Sequence, residues 1–135
     1  YFLMVFYLDT NIISYILKNK IQVIERMHEE IAKGNMFKIP AISYYEICRG
    51  LHVIQNIDKL NIFKKICNDM GLADITKNTL DIASEIYAEL RTKGELIEDS
   101  DIIIAASCIE NNSVLVTNNE MHFKRIPDLK FENWL

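Results

Sequence analysis

Glycine and proline are scarce. Four Gly and two Pro in 135 residues leave little material for linkers or low-complexity tracts, and predict a single domain over residues 1–135. Three cysteines, Cys48, Cys67 and Cys108, are odd in number and widely spaced. They form no CxxC motif and no Cys/His pair that suggests zinc, so the expectation is reduced, buried thiols in a cytoplasmic protein. Positive charge is in short supply as well: 15 Lys and Arg stand against 19 Asp and Glu, a net charge of −4. Holding nucleic acid by bulk charge requires Lys and Arg to neutralise phosphates. Any such contact here has to be local, at a place where a bound divalent cation inverts the field of the acids. Long apolar runs are missing too. The opening run Tyr1–Leu8 (YFLMVFYL) is far short of the roughly 20 residues of a membrane span. It has neither the basic start nor the small-residue cleavage site of a signal peptide, so no membrane association is expected.

Half of the residues are hydrophobic and a quarter are charged, as in a globular domain able to bury most of its apolar surface. Short apolar runs alternate with helical periods, the signature of βα units around a mostly parallel sheet. The expected strands are 2–8, Met36–Ile39, Leu72–Ile75, Ser113–Val116 and an edge strand at Lys130–Asn133. The expected helices are Thr10–Leu17, Ile21–Lys33, Ser43–Gln55, Asp58–Cys67, Lys77–Thr92 and Ser100–Glu110, with Gly34 and Gly94 as stops. The Ser100–Glu110 segment is apolar nearly all round, which predicts a buried helix.

The acids fall at telling places. In an open α/β sheet, ligands gather outside the carboxyl ends of the strands. Asp9 follows the first strand, Glu46 lies in the first turn of the helix after the second, and Asp101 opens the buried helix with Asp99 just before it. Thr117, Asn118 and Asn119 follow the strand at 113–116 and point to the same rim. Carboxylates from distant segments that meet in one place repel unless a hard cation offsets them. Mg²⁺ or Mn²⁺ suits such oxygen ligands, and a bound divalent cation activates water and stabilises phosphoryl charge. No Ser-His-Asp arrangement or phosphate-cradling Gly loop is visible. Each acid also has a plainer reading. Ser43-x-x-Glu46 matches a capping box, Asp99 or Ser100 can serve as an N-cap, Asp9 can start a helix, and Asp101 suits a helix dipole. Capping accounts for each position separately, not for their meeting.

Leu8-Asp9-Thr10-Asn11, Tyr45-Glu46 with Gly50 four residues on, Asp101-Ile102-Ile103-Ile104-Ala105-Ala106 and Val116-Thr117-Asn118-Asn119 together resemble the ordered motifs of PIN-domain ribonucleases. The similarity is closer to the VapC-type toxins of bacterial toxin–antitoxin pairs, and the ending Phe123-Lys124-Arg125-Ile126-Pro127 through Trp134 resembles their tail. The resemblance implies a PIN-like three-layer α/β/α domain with a mostly parallel central sheet. It implies a metal-dependent endoribonuclease with Asp9, Glu46 and Asp101 as catalytic metal ligands and Asp99 as an additional one. Asn11 and Thr117 match positions that orient ligands or phosphate. Asn119 stands where many members place a fourth acid, and His122 where others do, so one cation site is expected rather than two. The resemblance further implies an RNA substrate, a homodimer, and a cognate antitoxin that inserts over the acidic pocket.

Substrate phosphates still need cations. Lys18, Lys20, Arg49, Arg91, Lys93, Lys124 and Arg125 flank the expected rim, and Arg49 and Arg91 rank first because a guanidinium grips phosphate with two bonds. Ile54, Leu60, Ile62 and Phe63 fit either a core or a partner groove. The competing readings are a PIN-like module that binds RNA or a partner without cutting it, and a phosphotransfer enzyme of the haloacid dehalogenase type. The latter wants an acid two residues after Asp9, where this chain has Asn11. A receiver domain fails similarly, for want of a phospho-accepting Asp after the middle strand.

Overall fold

A computed structural model describes residues 3–135. Its strands are β1 (Val5–Leu8), β2 (Met36–Pro40), β3 (Leu72–Ala73), β4 (Val114–Val116) and β5 (Lys130–Glu132). The helices are α1 (Thr10–Leu17), α2 (Ile21–Ala32), α3 (Ala41–Val53), α4 (Ile57–Met70), α5 (Lys77–Thr92), α6 (Asp99–Glu110) and the single turn α7 (Glu120–Phe123). Every expected element is present among these, though the first strand begins at Val5 and not at the expected residue 2, which lies outside the described residues. The turn α7 was not expected.

The strands pair in the order β3-β2-β1-β4-β5, and every pairing is parallel. The sheet is therefore wholly parallel among the described residues, where a mostly parallel one was expected. Side chains alternate across it with the strand period of two. Phe6, Leu8, Phe37, Ile39 and Val116 face a core built with α1, α2, α3 and α4, while Tyr7, Ala73 and Leu115 face a second core built with α5 and α6. Three layers, α/β/α, follow from strands buried on both sides. Helix α6 is buried as its composition predicts, with Ile102, Ile104, Ala105, Ala106 and Cys108 inside. No helix among the described residues is long and apolar enough to cross a membrane.

The boundaries that differ have physical causes. Helix α3 starts at Ala41 directly after Pro40, its N-cap, and Pro40 makes no side-chain cap bond. Ser43 is thereby inside the helix and fully buried, so the Ser43-x-x-Glu46 capping box does not form. Helix α4 begins earlier because Asn56 accepts the amide of Lys59 at 3.1 Å. Gly34 and Gly94 end their helices in the left-handed conformation, at φ 89° and 68°. Cys67 and Cys108 are buried and Cys48 half-buried, all as free thiols, and burial pushes the Cys67 and Cys108 thiols up to about 11 and 12. They stay protonated and inert.

The order of the strands decides where a site can form. The chain moves outward from β1 through β2 to β3, then returns to lay β4 on the other flank of β1. Such a switch point opens a crevice beyond the carboxyl ends of the two strands where the direction reverses. Asp9 and Thr117 are the first residues after β1 and β4.

Candidate active site

Asp9 sits at the floor of that crevice, 5 % exposed. Its backbone amide continues the strand ladder to Val116 O at 3.0 Å. One carboxylate oxygen, Oδ1, accepts the amide of Thr10 at 2.8 Å, and Oδ2 accepts the hydroxyl of Thr117 at 2.8 Å. Asp9 is thus also the N-cap of α1, so capping and presentation at the cleft are compatible uses of one side chain. Burial pushes its carboxyl up to about 6; Thr117 and Thr10 oppose this by bonding the charged form, and the like charges of Asp101 and Glu46 add to it. That mutual repulsion shows three acids from separate segments sharing one field.

Glu46 is half-buried on α3, one face away from the core. Its Oε1 accepts the hydroxyl of Thr10 at 2.7 Å. Thr10 Oγ1 also lies 3.1 Å from Ser43 Oγ. With the single Thr10 proton directed at Glu46, Ser43 supplies the hydrogen for that second contact. Asp101, in the first turn of α6, meets His122 of α7, with Oδ2 3.0 Å from Nδ1. Asn119 Nδ2 stands 2.8 Å from the same ring nitrogen, and the Asn119 amide donates to Thr117 Oγ1 at 2.9 Å.

Asp9, Glu46 and Asp101 line one polar cleft of about 250 Å³, together with Thr10, Asn11, Glu98, Ser100, Asn119 and His122. Among the described residues, no three His, Cys, Asp or Glu side chains are gathered as a ready metal cage. The acids face the cleft with oxygens engaged by hydrogen bonds, Asp9 and Glu46 both to Thr10 and Asp101 to His122. Beside it runs a more apolar groove of about 250 Å³ that shares Thr10 and Glu46 and adds Leu17, Lys18, Ile47, Leu51 and Ile54.

The sequence profile of the PIN domain matches residues 6–129. The chain belongs to the PIN-domain family. Within that family, the Rickettsia felis protein named Ribonuclease VapC2 is 35% identical over 135 residues, covering 97% of this chain and 98% of its own. A Shigella flexneri protein named tRNA(fMet)-specific endonuclease VapC is 28% identical over 131 residues, covering 96% and 97%. The crystal structure of VapBC2 from Rickettsia felis bound to a DNA fragment from their promoter superposes with a TM-score of 0.85 at 35% identity, over 98% of this chain and 100% of that one.

In this PIN domain the expected site residues divide. Asp9, Glu46, Asp101, Asn11 and Asn119 share the cleft. Thr117 is fully buried beneath Asp9, with its hydroxyl bonded to Asp9 Oδ2. Asp99 stands elsewhere. It is exposed and lines a different, apolar depression with Leu80, Ser84, Tyr87 and Ile103, because two residues along a helix turn the side chain about 200° away from Asp101. Arg91, exposed at the end of α5, does not line the cleft either. Arg49 stands beside it: the guanidinium lies 3.8 Å from Glu46 Oε2 and 5.2 Å from the Tyr45 ring centre. Among the other cations, Arg125 is turned to the backbone oxygens of Glu95 and Leu96, and Lys93 pairs with Glu89. Leu60 and Phe63 are core, whereas Ile54 and Ile62 are exposed. Sequence reasoning missed Thr10, Glu98 and Ser100 as members of the cleft. The adjacency of Thr10 to Asp9, and of Glu98 and Ser100 to Asp101 at a helix start, was the signal available.

Proposed function

We propose that this chain is the endoribonuclease toxin of a toxin–antitoxin pair, hydrolysing RNA phosphodiester bonds at the Asp9–Glu46–Asp101 cleft. The observation that carries the reading is the meeting of three acids from β1, α3 and α6 at the β1/β4 switch point, in a PIN domain whose relatives are named ribonucleases. One domain makes up the chain on this reading, and it works in the cytoplasm.

The donor set suits one hard divalent cation, Mg²⁺ or Mn²⁺. All three acids offer oxygen, and Mg²⁺ keeps several waters beside one or two carboxylates, so it needs no closed cage. When bound, such a cation lowers the pKa of water and offsets charge on the phosphoryl oxygens. The chain's own residues do the rest. Thr10 N–H and Thr117 fix both oxygens of Asp9, so the carboxylate enters the cleft in one orientation. The Thr10 hydroxyl ties Glu46 to the same point. Asp101 is steadied by His122. Asn11 and Asn119 supply amide groups at the rim for phosphate or ribose, and Arg49 supplies the nearest guanidinium. For substrate class, the name of the Shigella relative favours tRNA.

The apolar groove that shares Thr10 and Glu46 suits a segment of a partner chain laid across the acids, which supports an antitoxin as inhibitor. The exposed Val53, Ile54 and Ile57 between α3 and α4 add apolar surface for that partner or for a second copy in a homodimer. A non-catalytic RNA- or partner-binding module is the second reading, favoured by the absence of a ready metal cage among the described residues. Incubating the antitoxin-free chain with cellular RNA in Mg²⁺, in Mn²⁺ and in chelator separates the two. Cleavage in either metal that stops in chelator supports the nuclease. Binding without cleavage under any metal supports the module.

A further inference from the structure

Among the described residues, the exposed aromatic side chains are Tyr45 and Tyr87. Tyr87 lies with Asp99 on the apolar depression beside α5, away from the acids. Tyr45 is different: it immediately precedes Glu46 on α3 and is 57% exposed. The Arg49 guanidinium connects the two residues, 5.2 Å from the Tyr45 ring centre and 3.8 Å from Glu46 Oε2. Each residue turns a helix by about 100°. Tyr45 and Arg49 therefore fall on one side of Glu46, and Ile47, Gly50 and Leu51, which line the apolar groove, on the other. An aromatic ring and a guanidinium thus share a face at the edge of the acidic cleft, separate from the groove. Charge alone gives this chain a weak hold on a polyanion, with 15 Lys and Arg against 19 Asp and Glu. A contact that does not depend on charge has to supply part of the grip, and a base stacked on a ring is such a contact.

We propose that Tyr45 is a specificity-determining residue, whose ring stacks on an unpaired base next to the scissile phosphate and so selects single-stranded segments of RNA. The inference rests on the nuclease reading above. Bases inside a duplex are paired and stacked on one another, so none of them offers a face to the ring, whereas an unpaired base does. Arg49 holds the adjoining phosphate from the same helix face.

Two substitutions isolate the ring. Tyr45→Leu keeps apolar bulk and loses the aromatic face, while Tyr45→Phe keeps the face and loses only the hydroxyl. The substrate is a short RNA oligonucleotide, labelled with fluorophore and quencher, that spans a site wild type cuts in cellular RNA. Cleavage is followed in Mn²⁺, on the free strand and on the strand annealed to its complement. Wild type should cut the free strand at least about tenfold faster, the size of one base stacked on an aromatic side chain. On the free strand, KM should rise about tenfold in Tyr45→Leu and stay within about twofold in Tyr45→Phe. Abasic nucleotides are then placed one at a time along the strand. At one position beside the cut, loss of the base should cost wild type about that same factor and cost Tyr45→Leu nothing further. A wild-type KM in Tyr45→Leu, an equal loss in Tyr45→Phe, or additive losses at every abasic position would overturn the inference. So would a wild type that cuts both forms of the strand alike. Each of these leaves the nuclease reading standing, whereas a wild type that cuts no RNA in any metal removes both.

Discussion

Thr117 donates a 2.8 Å hydrogen bond to Asp9, and the two residues are the first beyond two neighbouring parallel strands. The carboxylate at the centre of the cleft is thus aligned by the sheet itself. Removing the hydroxyl without changing shape, in Thr117→Val, takes away a bond that favours the charged form of Asp9, whose carboxyl already sits at about 6. A divalent cation competes with the proton for that carboxylate. At subsaturating metal, cleavage by wild type should rise with pH through about 6, and the midpoint in Thr117→Val should lie higher. Coincident profiles would show that Asp9 is not the group that titrates.

Asp9 also makes the metal-free fold less stable at neutral pH. Its carboxyl goes from 3.8 to about 6 on folding, so the folded state favours the neutral form. That favourable linkage is complete below 3.8 and lost as pH rises through about 6, a difference of about 3 kcal/mol at one pKa unit per 1.36 kcal/mol. Asp9→Asn should therefore stabilise the protein in chelator at neutral pH by about 1–2 kcal/mol, the remainder being lost because Thr117 needs a new acceptor. Thermal unfolding should show a rise of a few degrees that shrinks on acidification towards 3.8. A lower midpoint at neutral pH would contradict this.

Arg49 is 59% exposed and only loosely paired with Glu46. Its removal should leave the fold and metal affinity alone. In Arg49→Ala, KM for RNA should rise about tenfold at low salt, by loss of one charge-assisted phosphate contact, with kcat within a factor of about two. Unchanged kinetics would take Arg49 out of the substrate path.

The tail is structural. Trp134 packs edge-on against Phe6 and Phe37, donates to Glu132 at 3.0 Å and lies under the Arg26 guanidinium. Trp134→Ala should cost about 3–5 kcal/mol in denaturant unfolding, while Mn²⁺ affinity of the folded fraction stays unchanged. Loss of affinity without loss of stability would place the tail in the site instead.

Most of the fold was legible because buried parallel strands are short apolar runs and the helices between them keep their period, as in Phe37, Ile39 and the stripe of α5. Asp9 and Asp101 were legible because they stand at a strand end and a helix start on the carboxyl side of the sheet, and Glu46 because it follows the second strand, although the early start of α3 at Ala41 puts it in the second turn and not the first. Asp99 was not separable from Asp101 by position alone, since helical phase depends on where the first turn begins. The Ser43-x-x-Glu46 pattern misled for the same reason: Pro40 starts the helix early and puts both side chains against Thr10. The His122–Asp101 contact joins residues twenty-one apart through the one-turn helix α7, and no local pattern announces it.

The most direct test of the account is to titrate Mn²⁺ calorimetrically into wild type and Asp9→Asn, and to assay both on the same cellular RNA. The account predicts one Mn²⁺ bound by wild type, binding weakened at least about tenfold in the variant by loss of one ligand, and cleavage lost with it. A variant that stays folded, binds Mn²⁺ like wild type and still cuts RNA would contradict the placing of the catalytic cation at Asp9.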